Sequence, residues 1–169
     1  MYATIRLTLV LAFGMWNAAL TPSWAADDAA ALAAALKDTT ATLQGGLKAS
    51  EREGIPISAK FEIEDGKLQL SVYTMKGNDF IEVVADPKTG AIGEAEKIKD
   101  ADDLKEATAQ KAAMAKAKVP LLTVTETAVK ANPGSRAVSI YPQLQNGHAV
   151  AEVTLLQGTS LKKATEKLD

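Results

Sequence analysis

The carboxylates of one predicted strand are the first residues whose types and spacing could do chemistry. Glu62 and Glu64 are two positions apart, so a strand places both side chains on one face, and Asp65 follows in the next turn. Such a group could bind a cation or act as an acid/base pair. Lys60 and Lys67 are expected on the same face. A solvated surface of mixed charge is therefore the favoured interpretation.

A second acidic group resembles the start of a calcium-binding loop. It consists of Asp100, Asp102 and Asp103. Such a loop needs glycine at its sixth position and glutamate at its twelfth, and here these positions hold Lys105 and Lys111. The aspartates are better explained as residues that cap the start of a helix.

The remaining candidates are one histidine and a short basic run. His148 follows the turn residues Asn146–Gly147, and we expect it to be exposed, with no Ser-His-Asp arrangement around it. Lys111, Lys116 and Lys118 lie near the end of a predicted helix, where cations suit the helix dipole better than an anion site. The sequence therefore assigns no catalytic, metal or cofactor residue, and it predicts no cofactor.

Composition excludes several classes of protein. The chain has 169 residues and a formal net charge of −2, so no basic excess favours nucleic-acid binding. It has no cysteine, which excludes disulfides, thiolate metal sites and an acylated lipoprotein cysteine. Its 47% hydrophobic and 24% charged residues are ordinary for one globular domain or two small ones.

Residues 1–25 are predicted to be a secretory signal. Arg6 supplies the charge, Leu7–Leu20 is apolar, and Ser23 and Ala25 are small residues before a cleavage site. The alternative is a retained membrane anchor, but the apolar run is shorter than the roughly 20 residues that span a bilayer. We therefore predict cleavage near Ala25, a periplasmic or secreted protein, and no membrane span after cleavage.

Two β-hairpins organise the rest of the chain. In each, apolar and polar residues alternate around a two-residue turn, Asp65–Gly66 or Asn146–Gly147, of the kind that fixes strand register. The pairs that this register predicts are Ile63 with Leu68, Phe61 with Leu70, Ala59 with Val72, Leu144 with Ala149, Ile140 with Val153, and Val138 with Leu155.

The hairpins recur at a constant spacing, which predicts a tandem repeat. Gly66 and Gly147 are 81 positions apart, and so are Gly77 and Gly158. The predicted fold is α+β, with two repeats that each pack helices on a three- to four-stranded antiparallel sheet. The predicted units are a repeat at 26–98, a connecting helix at 99–118 and a second repeat at 119–169, with Ala91–Ile98 as a fourth strand of the first repeat and 160–168 as a strand rather than a helix.

Helices are predicted at Asp27–Lys37, Thr42–Glu53 and Asp102–Lys118, and a fourth is predicted to be capped by Thr123 and to run to Ala131. Gly45–Gly46, inside the second helix, indicates either close packing against a sheet or a break.

Each hairpin also has a proline in its first strand. These are Pro56 and Pro142, and proline in a sheet usually lies at an edge or a strand start. We therefore expect both strands to have one partly open side.

The segment 84–90 resembles the PepSY family of domains. The resemblance rests on Asp86, Thr89 and Gly90 at the end of a predicted strand, and on the helix and hairpin that precede them. The second repeat matches more weakly, through 151–156, and lacks the Thr-Gly pair. The resemblance implies an exported or membrane-associated protein without catalytic residues, and a role in binding or inhibiting peptidases.

Together these features predict an exported, non-enzymatic binding module whose partner is a protein or peptide. The PepSY resemblance implies that this partner is a peptidase. Its partner-binding residues are not assigned, and strand edges or a sheet face could provide them. Two alternatives stay open. One is a cation- or small-ligand-binding protein of the envelope, and the other is a small hydrolase that uses the exposed carboxylates Glu62 and Glu64.

Overall fold

The computed structural model describes residues 26–64 and 66–169, and these form four helices and seven strands. The predicted α+β class is confirmed. The predicted signal at 1–25 and the turn residue Asp65 lie outside the described residues. The elements are α1 (Ala26–Ala35), α2 (Leu43–Ser50), β1 (Ile55–Glu64), β2 (Lys67–Lys76), β3 (Asp79–Ala85), β4 (Ile92–Lys97), α3 (Ala101–Met114), α4 (Leu121–Ala131), β5 (Arg136–Gln145), β6 (His148–Gln157) and β7 (Ser160–Lys167).

The strands form one antiparallel sheet in the order β4-β3-β2-β1-β5-β6-β7. At its centre β1 pairs with β5 through Ala59 opposite Ile140 and Lys60 opposite Ser139. Pro56 and Pro142 lie in central strands rather than at an edge of the sheet, but the side that β1 and β5 share is partly open, as expected, because only these two residue pairs join them. The prolines are tolerated there because the ladder between β1 and β5 covers only these two pairs and includes neither proline. The division into units 26–98, 99–118 and 119–169 stays a prediction.

The predicted hairpin registers are confirmed except for one pair. Ile63 faces Leu68, and Leu144 faces Ala149. The pairing of Val138 with Leu155 is wrong, because a bulge between Ala137 and Ser139 places Ala137 opposite Leu155. The other confirmed pairs are Phe61 with Leu70, Ala59 with Val72, and Ile140 with Val153.

The main core lies between one face of the sheet and three helices. Leu32 of α1, Leu43 of α2 and Val124 of α4 are buried in one cluster with Phe61 and Ile140 of the sheet. Burying a leucine or phenylalanine side chain contributes about 1.5–3 kcal/mol. These helices therefore hold the two hairpins together where the ladder between β1 and β5 is short.

Helix α3 packs on the opposite face of the sheet. Its Gln110 accepts a hydrogen bond from the Ser58 hydroxyl at 2.8 Å, and both side chains are buried. Farther along the helix, Lys111 Nζ lies 5.8 Å from the centre of the Phe80 ring. The chain then returns to the core face through residues 115–120, so this connection passes around one end of the sheet.

Local chemistry explains the helix boundaries. The Thr42 side chain accepts a hydrogen bond from Gly45 N and begins α2, which runs through both glycines without a break. The predicted cap at Thr123 is wrong, because α4 begins at Leu121 directly after Pro120, whose fixed φ suits a helix start. Residues 160–167 form a strand, as predicted.

Gly46 is the glycine that close packing requires. A Cβ added there would lie 2.6 Å from Leu70 Cδ2 and 3.1 Å from its Cγ, and Leu70 is fully buried. We expect Gly46→Ala to lower the free energy of unfolding by about 1 kcal/mol, since overpacking costs more than the gain in helix propensity. The midpoint of urea denaturation measures this.

Gly45→Ala is the matched control. Its added Cβ would meet one hydroxyl, Thr42 Oγ1, at 3.1 Å, so the same helix-propensity gain is expected without a loss of stability. A Gly46→Ala protein as stable as Gly45→Ala would contradict the packing argument.

Candidate functional site

An open, mostly apolar groove of about 570 Å³ lies at the end of the sheet where β1 begins and β2 ends. This volume is within the range of binding sites for small molecules and single peptide segments. The groove is lined by Leu47, Glu51, Arg52, Gly54, Ile55, Pro56, Met75, Lys76, Gly77, Met114, Pro120, Leu121 and Leu122.

Ile55 gives the groove an exposed apolar wall. The alternation in the sequence predicts that Ile55 is buried beside Ile57, but Ile55 is 58% exposed while Ile57 is fully buried. The physical reason is a bulge between Pro56 and Ser58, which shifts the register so that Ile55 pairs with Met75 instead of continuing the core face.

The other walls come from three helices and a glycine. Leu47 of α2 and Leu121 of α4 form the buried floor, and Met114 closes the side at the end of α3. At Gly54 an added Cβ would lie 2.6 Å from the Met75 carbonyl oxygen. The absence of a side chain therefore lets β1 begin against the end of β2.

The rim of the groove has a positive excess. Glu51 forms an ion pair with Lys48 at 2.7 Å, and the Arg52 Nε lies 3.2 Å from Glu53. Lys76 forms no ion pair with any carboxylate in the described part of the chain. Lys76 is therefore the charge at this site that a ligand could pair with.

The corresponding position in the second hairpin is filled. Arg136 pairs with Leu156 as Ile55 pairs with Met75, at positions 81 residues later. Its guanidinium lies 5.1 Å from the Phe61 ring centre and donates to main-chain carbonyls of the connection between α1 and α2. Burial lowers the pKa of Arg136. The accepting carbonyls are those of Leu36, Thr39 and Ala41.

The carboxylates that the sequence singled out are held by their neighbours on the α3 side of the sheet. Glu62 forms an ion pair with Lys60 at 2.6 Å, and Gln69 Nε2 donates to Glu62 at 3.4 Å and to Glu64 at 2.5 Å. The predicted third member, Asp65, lies outside the described residues. This arrangement matches the mixed-charge surface that the sequence favoured.

The structure adds a half-buried carboxyl group, Glu82, that the sequence did not indicate. Burial raises the pKa of Glu82, although a hydrogen bond with Ser71 opposes the shift. Glu82 faces Glu96 directly across the strands, and like charges in that position are unfavourable. Burial, followed by the charge of Glu82, also raises the pKa of Tyr73. Strand alternation could not reveal this, because it does not show that α3 covers this face.

The aspartates before α3 cap the helix, as predicted. The Asp100 carboxylate accepts hydrogen bonds from Asp102 N at 2.9 Å and from Asp103 N at 3.2 Å. Lys111 lies in the last turn of α3, while Lys116 lies beyond it and donates to the Gly147 carbonyl at 2.9 Å. Lys118 is also beyond the helix, in the connection to α4, where its main-chain N–H donates to the carbonyl of Leu168.

His148 lies at the surface next to its turn. Its side chain is 74% exposed, and Nδ1 lies 2.9 Å from Asp169 Oδ2. The hydrogen bond with His148 holds the pKa of Asp169 below its ordinary value. The predicted exposure of His148 is confirmed, and the contact ties the residue after Leu168 to the start of β6.

The residues that carry the PepSY resemblance form a structural turn. The Asp86 carboxylate accepts hydrogen bonds from Lys88 N at 3.0 Å, from Thr89 N at 2.7 Å and from the Thr89 hydroxyl at 2.9 Å. The hydrogen bonds from Thr89 lower the pKa of Asp86. The turn also joins the connection between α1 and α2, because Ala41 N donates to the Pro87 carbonyl.

Two general features are absent among residues 26–64 and 66–169. No group of three or more His, Cys, Asp or Glu side chains there could hold a metal ion. No helix within these residues is long and apolar enough to cross a membrane.

Glu82→Gln is expected to stabilise the protein at pH 7. Because folding raises the pKa of Glu82, its ionised form penalises the folded state above the ordinary value of 4.5, and the full penalty applies above the raised pKa. The substitution removes that penalty, so the melting temperature should rise at pH 7 and stay unchanged at pH 4.

Glu94→Gln, at an exposed position on the neighbouring strand β4, is the control. It should change the melting temperature by the same amount at pH 4 and at pH 7. An equal gain for Glu82→Gln at pH 4 and pH 7 would contradict the argument.

Comparison with known proteins assigns this chain neither a family nor a function. No protein-family model matches the chain. No curated protein matches it. Among solved structures, it is similar to the crystal structure of a putative lipoprotein from Clostridium difficile 630, with 14% sequence identity and a TM-score of 0.34 over 71% of this chain and 88% of that chain. A likeness at this level identifies neither a family nor a function.

Proposed function

We propose that this protein is an exported, non-enzymatic binding module that holds an apolar peptide segment of a protein partner in the groove beside Ile55. The observation that carries the proposal is the groove of about 570 Å³, with an isoleucine 58% exposed at its wall. A concave, mostly apolar site with a few polar groups is the usual form of a binding site. Export rests on the predicted signal at 1–25.

The internal comparison of the two hairpins supports binding at this end. Both hairpins have a bulge at the same repeat position, between Pro56 and Ser58 and between Ala137 and Ser139. This is what two PepSY-like repeats would share. At the position where Arg136 fills the second repeat and contacts the chain itself, the first repeat has Ile55 and an open groove. In the second hairpin this position is thus used for a contact within the chain, whereas in the first hairpin it is available to a partner.

The charges on the sheet edges favour the groove over strand addition. The outer strand β4 has the exposed residues Glu94, Glu96 and Lys97, and β7 has the exposed residues Lys162 and Lys163. Charged side chains on an edge strand disfavour pairing with another strand. A peptide that inserts side chains into the groove avoids this obstacle. The PepSY resemblance makes a peptidase the first partner to test.

The groove itself favours a small apolar ligand as the second candidate. Its lining includes Met75 and Met114, whose flexible side chains adapt to varied apolar shapes. A ligand that binds the native state raises the melting temperature, so a thermal-shift screen of apolar compounds separates this candidate from peptide binding. The hydrolase alternative has weaker support, since Glu62 and Glu64 are engaged by Lys60 and Gln69.

Ile55→Lys should raise the dissociation constant of the bound peptide. Fluorescence anisotropy with labelled twelve-residue peptides, each with two adjacent leucines and blocked ends, measures the dissociation constant. Loss of one buried isoleucine contact should weaken binding about tenfold. The same peptides, added to an assay of a peptidase mixed with the protein, test whether the peptides compete with the peptidase for the groove and so relieve its inhibition.

Ile63→Lys is the matched control, because Ile63 is 41% exposed at the other end of the same strand. It should bind as the wild type does. If no peptide binds, or if both variants lose binding equally, the groove is not the site.

A further inference from the structure

We propose that the segment bound in the groove has an acidic side chain next to its buried apolar side chain. This inference deepens the proposed function and rests on it. It names the chemistry of the partner, which neither the groove volume nor the apolar lining specifies. The observation that carries it is the distribution of charge around the mouth of the groove.

The carboxylates at the mouth are already paired, whereas one cation is not. Glu51 and Glu53 are engaged by Lys48 and Arg52, at 2.7 Å and 3.2 Å. Lys76 lines the groove, is exposed, and has no ion-pair partner among residues 26–64 and 66–169. An arriving carboxylate could therefore pair with Lys76 without displacing an existing partner.

Other charges at this end of the sheet reinforce the preference. Asp79, at the start of β3 and directly opposite Lys76, is paired with Lys97 at 2.7 Å. The ammonium group of Lys116 is fixed at the same end by its hydrogen bond to the carbonyl of the turn residue Gly147. The mouth itself has three cations, Lys48, Arg52 and Lys76, beside two carboxylates, Glu51 and Glu53, so its local charge is positive although the whole chain has a net charge of −2.

Away from the groove, the α3 side of strands β1–β4 has more carboxylates than lysines, although Lys60 and Lys67 lie among them. On the α3 side of the sheet lie Glu62, Glu82 and Glu96, and Glu64 is exposed near the hairpin tip. An acidic peptide is repelled there and attracted at the groove, which gives it one favoured place on this surface.

A side-chain carboxylate fits this mouth better than a chain terminus. Terminal carboxylates are usually captured by converging backbone N–H groups. Here the available positive group is the ammonium of Lys76, on a flexible stem that can follow a side chain. The bound segment is therefore an apolar residue such as leucine or methionine beside aspartate or glutamate, within a continuing chain.

Three labelled peptides with blocked ends test this inference. They share two adjacent leucines and differ only in the flanking residues, which are glutamate, glutamine or lysine. Wild-type protein should bind the glutamate peptide about fivefold more tightly than the glutamine peptide at low salt. The difference should shrink at high ionic strength.

Lys76→Glu should reverse the order, so that the lysine peptide binds most tightly. Lys67→Glu is the matched control, because Lys67 is exposed at the other end of the same strand, and it should keep the wild-type order. The melting temperature of each variant confirms that it is folded. A preference unchanged in Lys76→Glu would overturn the inference.

The remaining outcomes separate the two proposals. If all three peptides bind equally, the acidic preference is wrong and the groove stays the binding site. If none binds, the proposed function fails as well. The chain's own tip at Ile63–Glu64 has the same chemistry, so sedimentation of the protein alone is also measured. Self-association that Lys76→Glu abolishes would make a second copy of the chain the occupant, which would overturn the proposed separate protein partner while supporting the acidic-apolar chemistry of the bound segment.

Discussion

The pairing of β1 with β5 is the contact on which the rest of the structure depends. Two residue pairs, Ala59 with Ile140 and Lys60 with Ser139, join two otherwise local hairpins into one sheet. Because the strands are antiparallel, the start of β1 and the turn between β5 and β6 lie at the same end. The connection between α3 and α4 crosses that end, so the groove is formed by both halves of the chain.

The groove results from small departures from regular structure. A bulge turns Ile55 away from the core, Gly54 lets two strand ends come close, and Met114 ends a helix whose connection then passes around the sheet. The same bulge in the second hairpin is followed by a different outcome, because Arg136 replaces the isoleucine and fills the space. The two hairpins thus differ at the start of their first strands, where Arg136 contacts the chain itself at one end of the sheet and Ile55 is exposed beside the groove at the other.

The parts of the fold that depend on neighbouring residues could be predicted from the sequence. Two-residue turns fix hairpin register, so Ile63 opposite Leu68 followed from local chemistry, as did the cap at Asp100. The pairing of Ala59 with Ile140 could not, because it joins positions far apart in the chain. The sequence also did not show which face of the sheet α3 covers, because the many alanines of α3 do not distinguish an apolar side of the helix from a polar side.

The candidate site was the least predictable part for a related reason. Alternation assigned Ile55 to the core, and a single bulge reversed that assignment. Met75 was the one residue whose position indicated an apolar site here. It is apolar, yet strand alternation places its side chain on the sheet face opposite the core. Lys76 could be recognised as important only once the partners of Glu51 and Arg52 were known.

The contact made by Arg136 differs in kind from the ion pairs at the surface. Its guanidinium stays charged across the whole physiological range, and its partners are neutral carbonyl groups of the chain. Neither protonation nor dissolved salt therefore removes this link, whereas dissolved salt screens ion pairs at the surface such as that of Lys48 with Glu51. The attachment of α1 and its following connection to the sheet is thus insensitive to changes in acidity and ionic strength.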